Sequence, residues 1–323
     1  MIKFVQVGAG GFAATIHGPM LKRFFDDHPG ELDLAGICVR TNVAKANEYC
    51  SKFGFQRVYT DIDEMIDAEK PDACLVITHI DGTLAAVGRV MERGVPVLME
   101  KPPGKNLTEA KELVAIAEGS GAQNMVAFNR RFALCAVQGI EWVREYGPFE
   151  RVHALVTRIG RGDEAFVSHA SIHAVDYLQM LGDEFFGGLD SATVNRRESL
   201  AGSHNFHFDF TYGSGATGRG DLLPNAGRDG EVYTIFGNNA VVEITMPWIG
   251  IKARVELWKE GERIGFHEWE DGFYAYGIYQ EIEAFISAVK GEKSFEPSVA
   301  TTLRSVSLAE AIQKGVDWRR DDT

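Results

Sequence analysis

Apolar residues follow two regimes along the chain. Up to about residue 130, short continuous apolar runs alternate with stretches in which apolar residues recur every three or four positions. That is the pattern of parallel strands joined by helices. Ile2 to Val7 is the first strand, Leu34 to Val39 the second, Val58-Tyr59 a short third, Asp72 to Thr78 a buried fourth and Val95 to Met99 a fifth, with Met125 to Phe128 closing the half. Helical spacing covers Val43 to Phe53, Ile62 to Ala68 and Leu84 to Arg93, which Gly94 ends, and a further helix reaches Glu118 with Thr108 placed to cap it.

After Gly147-Pro148 the texture becomes one of longer, alternating strands separated by turns, which predicts a mostly antiparallel sheet. His204 to Tyr212 puts Phe206, Phe208 and Phe210 on one face, and Val232 to Phe236, Val241 to Ile244, Ala253 to Trp258 and Ile264 to Trp269 continue the meander. Gly237-Asn238-Asn239, Glu260-Gly261 and Asp271-Gly272 supply turns, and helices over Tyr279 to Lys290 and Val299 to Lys314 finish the chain. The prediction is an α/β protein: a doubly wound parallel sheet over 1–123, then an α+β domain with a large, open, mostly antiparallel sheet over 124–323.

A length of 323 residues suits two domains. No apolar run reaches the roughly 18 residues of a membrane span, and Met1-Ile2-Lys3 leads straight into the first strand, so a cytoplasmic protein without a membrane partner is expected. Cys38, Cys50, Cys74 and Cys135 lack paired spacing and read as reduced, buried thiols. A formal net charge of −13 argues against a nucleic-acid partner, but not against a phosphorylated cofactor, which needs only a few local cations.

The chemistry starts where the first strand ends. Gly8-Ala9-Gly10-Gly11-Phe12-Ala13 is a G-x-G-x-x-A fingerprint between a strand and a helix, the arrangement that holds a dinucleotide pyrophosphate in a Rossmann fold. Gly8, Gly10, Gly11, Phe12 and Ala13 are therefore assigned to the cofactor. At the end of the second strand, where an acid would bond the ribose 2′-hydroxyl of NAD, the chain reads Val39-Arg40-Thr41-Asn42. Without a competing carboxylate, Arg40 can pair with a 2′-phosphate, so NADP(H) is preferred over NAD(H). Thr78 and His79, at the end of another parallel strand, join the cofactor set.

The Glu100-Lys101-Pro102 triplet, the glycine fingerprint, Asn129-Arg130-Arg131-Phe132 and His173 with Asp176 together resemble the glucose-fructose oxidoreductase / inositol dehydrogenase (Gfo/Idh/MocA) family. The resemblance runs through the final helices. It implies a nicotinamide-dependent oxidoreductase acting on a CH-OH group of a sugar, polyol or related molecule, whose C-terminal sheet assembles a homodimer or homotetramer. It also implies that Lys101 bonds the reacting oxygen, that His173 is the acid/base and that the Lys101–Pro102 peptide is cis. Hydride transfer changes the charge on an oxygen, which requires a cationic donor and a proton carrier there. Glu100 then meets the cofactor ribose or positions Lys101, and Asn129 is placed on the cofactor side.

One departure stands out. Family members usually carry aspartate four residues before the catalytic histidine, whereas this chain has His169, which cannot supply that carboxylate. His169 is kept as a catalytic candidate with altered specificity, and the alternative is a redox-inactive sensor of the same fold. His169, His173 and Asp176 also share a helical stripe with zinc-like spacing, but no second ligand set accompanies them and no metal is assigned. Arg131, Arg158 and Asp176 are the substrate-side candidates; Arg130 or Arg131 contacts substrate or cofactor, or pairs structurally. The glycine-rich loop Arg158 to Phe166 is a substrate lid or a plain connection. Trp248, Trp258, Trp269, Phe273, Tyr274 and Tyr276 offer either a sugar-stacking surface or sheet packing.

Overall fold

The computed structural model describes residues 1–162, 165–199 and 202–323. Two residues of the glycine-rich loop, 163 and 164, thus lie outside the described residues. The chain forms two units, Met1–Phe128 with Ile278–Leu303 and Asn129–Gly277 with Arg304–Thr323.

In the first unit β1 (Ile2–Val7), α1 (Gly18–Asp27), β2 (Leu32–Cys38), α2 (Val43–Phe53), β3 (Arg57–Tyr59), α3 (Ile62–Glu69), β4 (Ala73–Val76), α4 (Ile80–Glu92), β5 (Val97–Glu100), α5 (Leu107–Ser120) and β6 (Asn124–Ala127) alternate. The six strands pair in parallel in the order β3-β2-β1-β4-β5-β6. Chain order reverses between β1 and β4, which opens a crevice over the carboxyl ends of those strands. Phe4, Val5, Leu75, Val97 and Leu98 are fully buried, as a sheet covered by helices on both faces requires.

Two helix starts differ from the sequence expectation. α5 is capped by Asn106, whose side-chain oxygen accepts from the Glu109 N–H at 3.0 Å, so Thr108 falls inside the first turn. The Glu109 carboxylate reaches back to the Lys105 N–H at 2.9 Å, giving the start a reciprocal closure that Thr108 lacks. α4 begins at Ile80, four residues before Leu84, because His79 supplies an extended N-cap.

The second unit holds α6 (Leu134–Tyr146), β7 (Arg151–Thr157), α7 (Ile172–Phe185), β8 (Leu189–Glu198), β9 (His204–Tyr212), β10 (Thr217–Leu223), β11 (Gly230–Gly237), β12 (Ala240–Thr245), β13 (Ala253–Lys259) and β14 (Glu262–Trp269). After α8 (Ile278–Val289) and α9 (Val299–Lys314), β15 (Trp318–Arg319) completes a nine-stranded sheet ordered β14-β13-β12-β11-β7-β10-β9-β8-β15. Among the described residues of this sheet only β7 and β10 run parallel; the other pairs are antiparallel. Asn238 and Asn239 at φ 47° and 52°, and Glu260 and Gly261 at 53° and 89°, form the left-handed pairs that tight hairpins need. Phe206, Phe208 and Phe210 are buried on one face, and the rings of Phe208 and Phe210 lie where Gly220 and Gly218 of β10 have no side chain.

α8 belongs to the first unit. Its Phe285 ring meets Phe4 edge-on with centroids 6.5 Å apart, and the Tyr279 hydroxyl donates to Asp27 at 3.1 Å. β6 pairs with β5, so the parallel sheet continues past residue 123. Among the described residues no helix is long and apolar enough to cross a membrane. All four cysteines are free and buried.

Candidate functional site

The glycine turn is held by the strand that precedes it. Buried Gln6 donates its side-chain amide to the Gly8 carbonyl at 2.7 Å and accepts from the Tyr49 hydroxyl at 3.2 Å. Gly8 has φ +99°, and a Cβ there would stand 2.0 Å from the Ile77 carbonyl oxygen, so the end of β4 passes where only glycine leaves room. Gly10 and Gly11 are the opposite case: a Cβ on either meets nothing within 4 Å. Ala13 is fully buried under the helix. Nearby lies a cavity of about 850 Å³ whose lining includes Gly8, Gly10, Arg40, Thr41, Thr78 and His79.

These residues fit a dinucleotide. The open space lies over the glycine backbone at the point where strand order reverses, as a pyrophosphate requires. Arg40 lines the cavity together with Lys45. The lining also contains Asp61 and Asp63, but Asp61 caps α3 by accepting from the Glu64 N–H at 2.9 Å, and Asp63 is ion-paired with Arg89 and Arg93. Hydrogen bonds from those two arginines hold the Asp63 carboxyl below the usual carboxylate range. Thr78 bonds Thr83 at 3.3 Å, and His79 caps α4 as well as lining the cavity.

At the end of β5, Glu100 accepts from or donates to the His17 Nε2 at 2.5 Å. Lys101 follows, half-buried, and its peptide to Pro102 is cis. Phe12 is exposed, its ring edge-on to His17 with centroids 5.5 Å apart.

In the second unit His173 is buried in the first turn of α7, and His169 stands half-buried in a π-helical turn, Phe166–Ser171, that leads into it. Asp176 is fully buried, receiving two bonds of 2.7 Å from Arg131 and one of 2.9 Å from Ser305. Arg131 and Asp176 are therefore partners of each other.

A separate buried cluster takes up the remaining candidates. Glu231 on β11 bonds Arg158 at 2.7 Å and Arg130 at 3.0 Å and accepts from Tyr233 at 2.9 Å. Burial pushes the Glu231 carboxyl up, but the two guanidinium charges outweigh it and lower it to about 2. Arg158 stacks over Trp248, and Arg130 over Tyr276. Asn129 donates to the Tyr276 carbonyl at 2.6 Å and accepts from Arg130 at 3.0 Å, both within this unit. Trp248 and Tyr276 pack against each other, while Trp258 is exposed beside Arg263.

Sequence reasoning missed Gln6, His17 and Glu231. His17 did leave a trace, a polar residue on the buried stripe of Ala13, Leu21 and Phe24. Glu231 left none, because a lone acid in a strand looks like any solvent-facing position.

Residues 2–128 match the model of the family described as "Oxidoreductase family, NAD-binding Rossmann fold" (GFO_IDH_MocA). Over that stretch, the parallel-sheet part of the first unit, the chain is similar to this family. Among curated relatives, an uncharacterised protein of Saccharomyces cerevisiae is 28% identical over 264 residues, 70% of this chain and 72% of the relative. D-glucoside 3-dehydrogenase of Escherichia coli is 30% identical over 137 residues, 41% of this chain and 36% of that protein. A solved levoglucosan dehydrogenase, in complex with NADH and L-sorbose, superposes with a TM-score of 0.81 at 16% identity, covering 98% of both chains, a likeness of fold.

Proposed function

We propose that the protein is an NADP(H)-preferring oxidoreductase that moves a hydride between the cofactor and a carbonyl or secondary alcohol of a sugar, polyol or similar small molecule. The observation that carries this reading is the open glycine backbone at the reversal of strand order, with Arg40 and Lys45 on the cavity wall where an NAD enzyme would present an acid. Gly8 to Ala13 hold the pyrophosphate, Arg40 meets the 2′-phosphate, and Thr78, His79, Glu100 and Asn129 complete the cofactor side. When bound, the nicotinamide supplies or accepts the hydride. Lys101 steadies the reacting oxygen, and His173 carries the proton, with His169 in support; Arg131, Arg158 and Asp176 shape the substrate side. A carbohydrate-type substrate is supported by the dehydrogenase names among the relatives. We place the enzyme in the cytoplasm, in keeping with its free, buried cysteines, as a homodimer or homotetramer through the nine-stranded sheet, on which Phe236, Trp258, Ile264 and Phe266 are exposed.

Fluorescence titration should give a dissociation constant at least tenfold lower for NADPH than for NADH, and Arg40→Ala should erase most of the difference. Tighter binding of NADH would overturn the cofactor assignment. Across a sugar and polyol panel followed at 340 nm, Lys101→Met should lower kcat by about a hundredfold or more while NADPH affinity stays within threefold. If Lys101→Met and His173→Ala both turn over normally, the catalytic assignment is wrong.

A further inference from the structure

The carboxyl end of β5 carries a buried pair to which the reaction above gives only half a task. His17 is fully buried, and its Nε2 lies 2.5 Å from Glu100 Oε1. Burying an imidazole beside a carboxylate costs free energy that apolar packing would avoid, so the pair calls for a reason. The helix is rewound to make it. Ala13–His17 is a π-helical turn, and α-helical geometry resumes only at Gly18. Such one-turn expansions occur often at functional sites, and this one brings His17 to the end of β5. With Nε2 donating to the carboxylate, the ring's other nitrogen is Nδ1, which is buried and has no hydrogen-bond partner among the described residues. Glu100 is the more open member, with 12% of its side chain exposed, and Lys101 follows it directly.

We propose that His17 is a positioning residue for the cofactor. Through Nε2 it fixes the Glu100 carboxylate, and with it the start of the Glu100-Lys101-Pro102 turn, in the orientation that receives the nicotinamide half of the dinucleotide. This rests on the dinucleotide reading above. His17 itself touches neither cofactor nor substrate; its effect passes through Glu100.

Two variants of His17 separate positioning from mere packing. Gln keeps an N–H donor at a reach close to that of Nε2, whereas Leu keeps bulk without a donor. NADPH dissociation constants would be measured by fluorescence, alongside the Tm of the unliganded protein. His17→Leu should raise the dissociation constant about tenfold, while His17→Gln stays within threefold of wild type even where both lower Tm alike. Glu100→Gln should weaken binding to the same degree as His17→Leu, and the double variant should be no weaker than either single one, because both remove one coupled contact. The inference is overturned if His17→Leu binds as wild type does, if Gln and Leu lose affinity equally, or if the double variant is additive. Wild-type protein that binds neither NADPH nor NADH overturns the dinucleotide reading and this inference with it. Wild-type binding with unaffected variants overturns the inference alone.

Discussion

Two glycines of one fingerprint do different physical work. At Gly8 the backbone has φ +99° and the Ile77 carbonyl occupies the space a Cβ would need, so the residue type is set by folding. Gly10 has no such neighbour, and its residue type answers to whatever occupies the space in front of it. Gly8→Ala should therefore cost about 3 kcal/mol or more of stability through backbone strain and the clash with β4. Gly10→Ala should leave the urea midpoint nearly unchanged and weaken NADPH binding at least tenfold. Equal loss of stability in the two variants would refute the division. The fingerprint was legible because three spaced small residues between a strand and a helix have few other uses. His17's partner was not, since Glu100 is 83 positions away and the two meet only in the folded chain.

At the scale of elements, the sheet of the second unit was readable from alternation and hairpin residues, but its polar interior was not. Asn238-Asn239 and Glu260-Gly261 announce their turns through the residue types that tolerate positive φ. The cluster on β11 has no such local signal, because Arg130, Arg158 and Glu231 come from three distant segments and become partners only when β11 pairs with β7. That cluster makes a pH-dependent contribution to stability. The Glu231 carboxyl lies at about 2 in the folded protein against an ordinary 4.5, so the folded state resists protonation that the unfolded chain accepts. The contribution is complete above about pH 4.5 and is lost as pH falls toward 2. Glu231→Gln should cost about 3–5 kcal/mol at neutral pH, because it leaves two buried guanidinium groups under-compensated. Urea denaturation between pH 7 and pH 3 should show the gap between wild type and variant narrowing on the acid side. A gap that stays constant with pH would mean that Glu231 does not carry this charge in the folded state.

For the whole molecule, the sequence suggested two consecutive domains, whereas the first unit takes back residues Ile278–Leu303 from the far end of the chain. Hydrophobic periodicity marks those residues as helical but cannot say which sheet they cover, since an amphipathic face is equally satisfied by any apolar surface. The contacts of α8 decide it. Phe285 is fully buried and packs on Phe4 at the core of the parallel sheet, and the Tyr279 ring lies tilted against Phe24 while its hydroxyl bonds Asp27. Pro297 also accepts a backbone bond of 2.7 Å from Val126 on β6. Exposing a buried Phe or Tyr costs about 1.5–3 kcal/mol each, against a total stability of about 5–15 kcal/mol for a domain. A fragment of residues 1–128 should therefore fail to melt cooperatively by circular dichroism and should bind the hydrophobic dye ANS. The same residues joined by a flexible Gly/Ser linker to 278–303 should melt in one transition and raise their Tm on addition of NADPH, because a ligand that binds only the folded state stabilises it. If residues 1–128 alone fold cooperatively and bind NADPH as tightly as the full chain, α8 is an accessory, and the parallel sheet is complete without the returning segment.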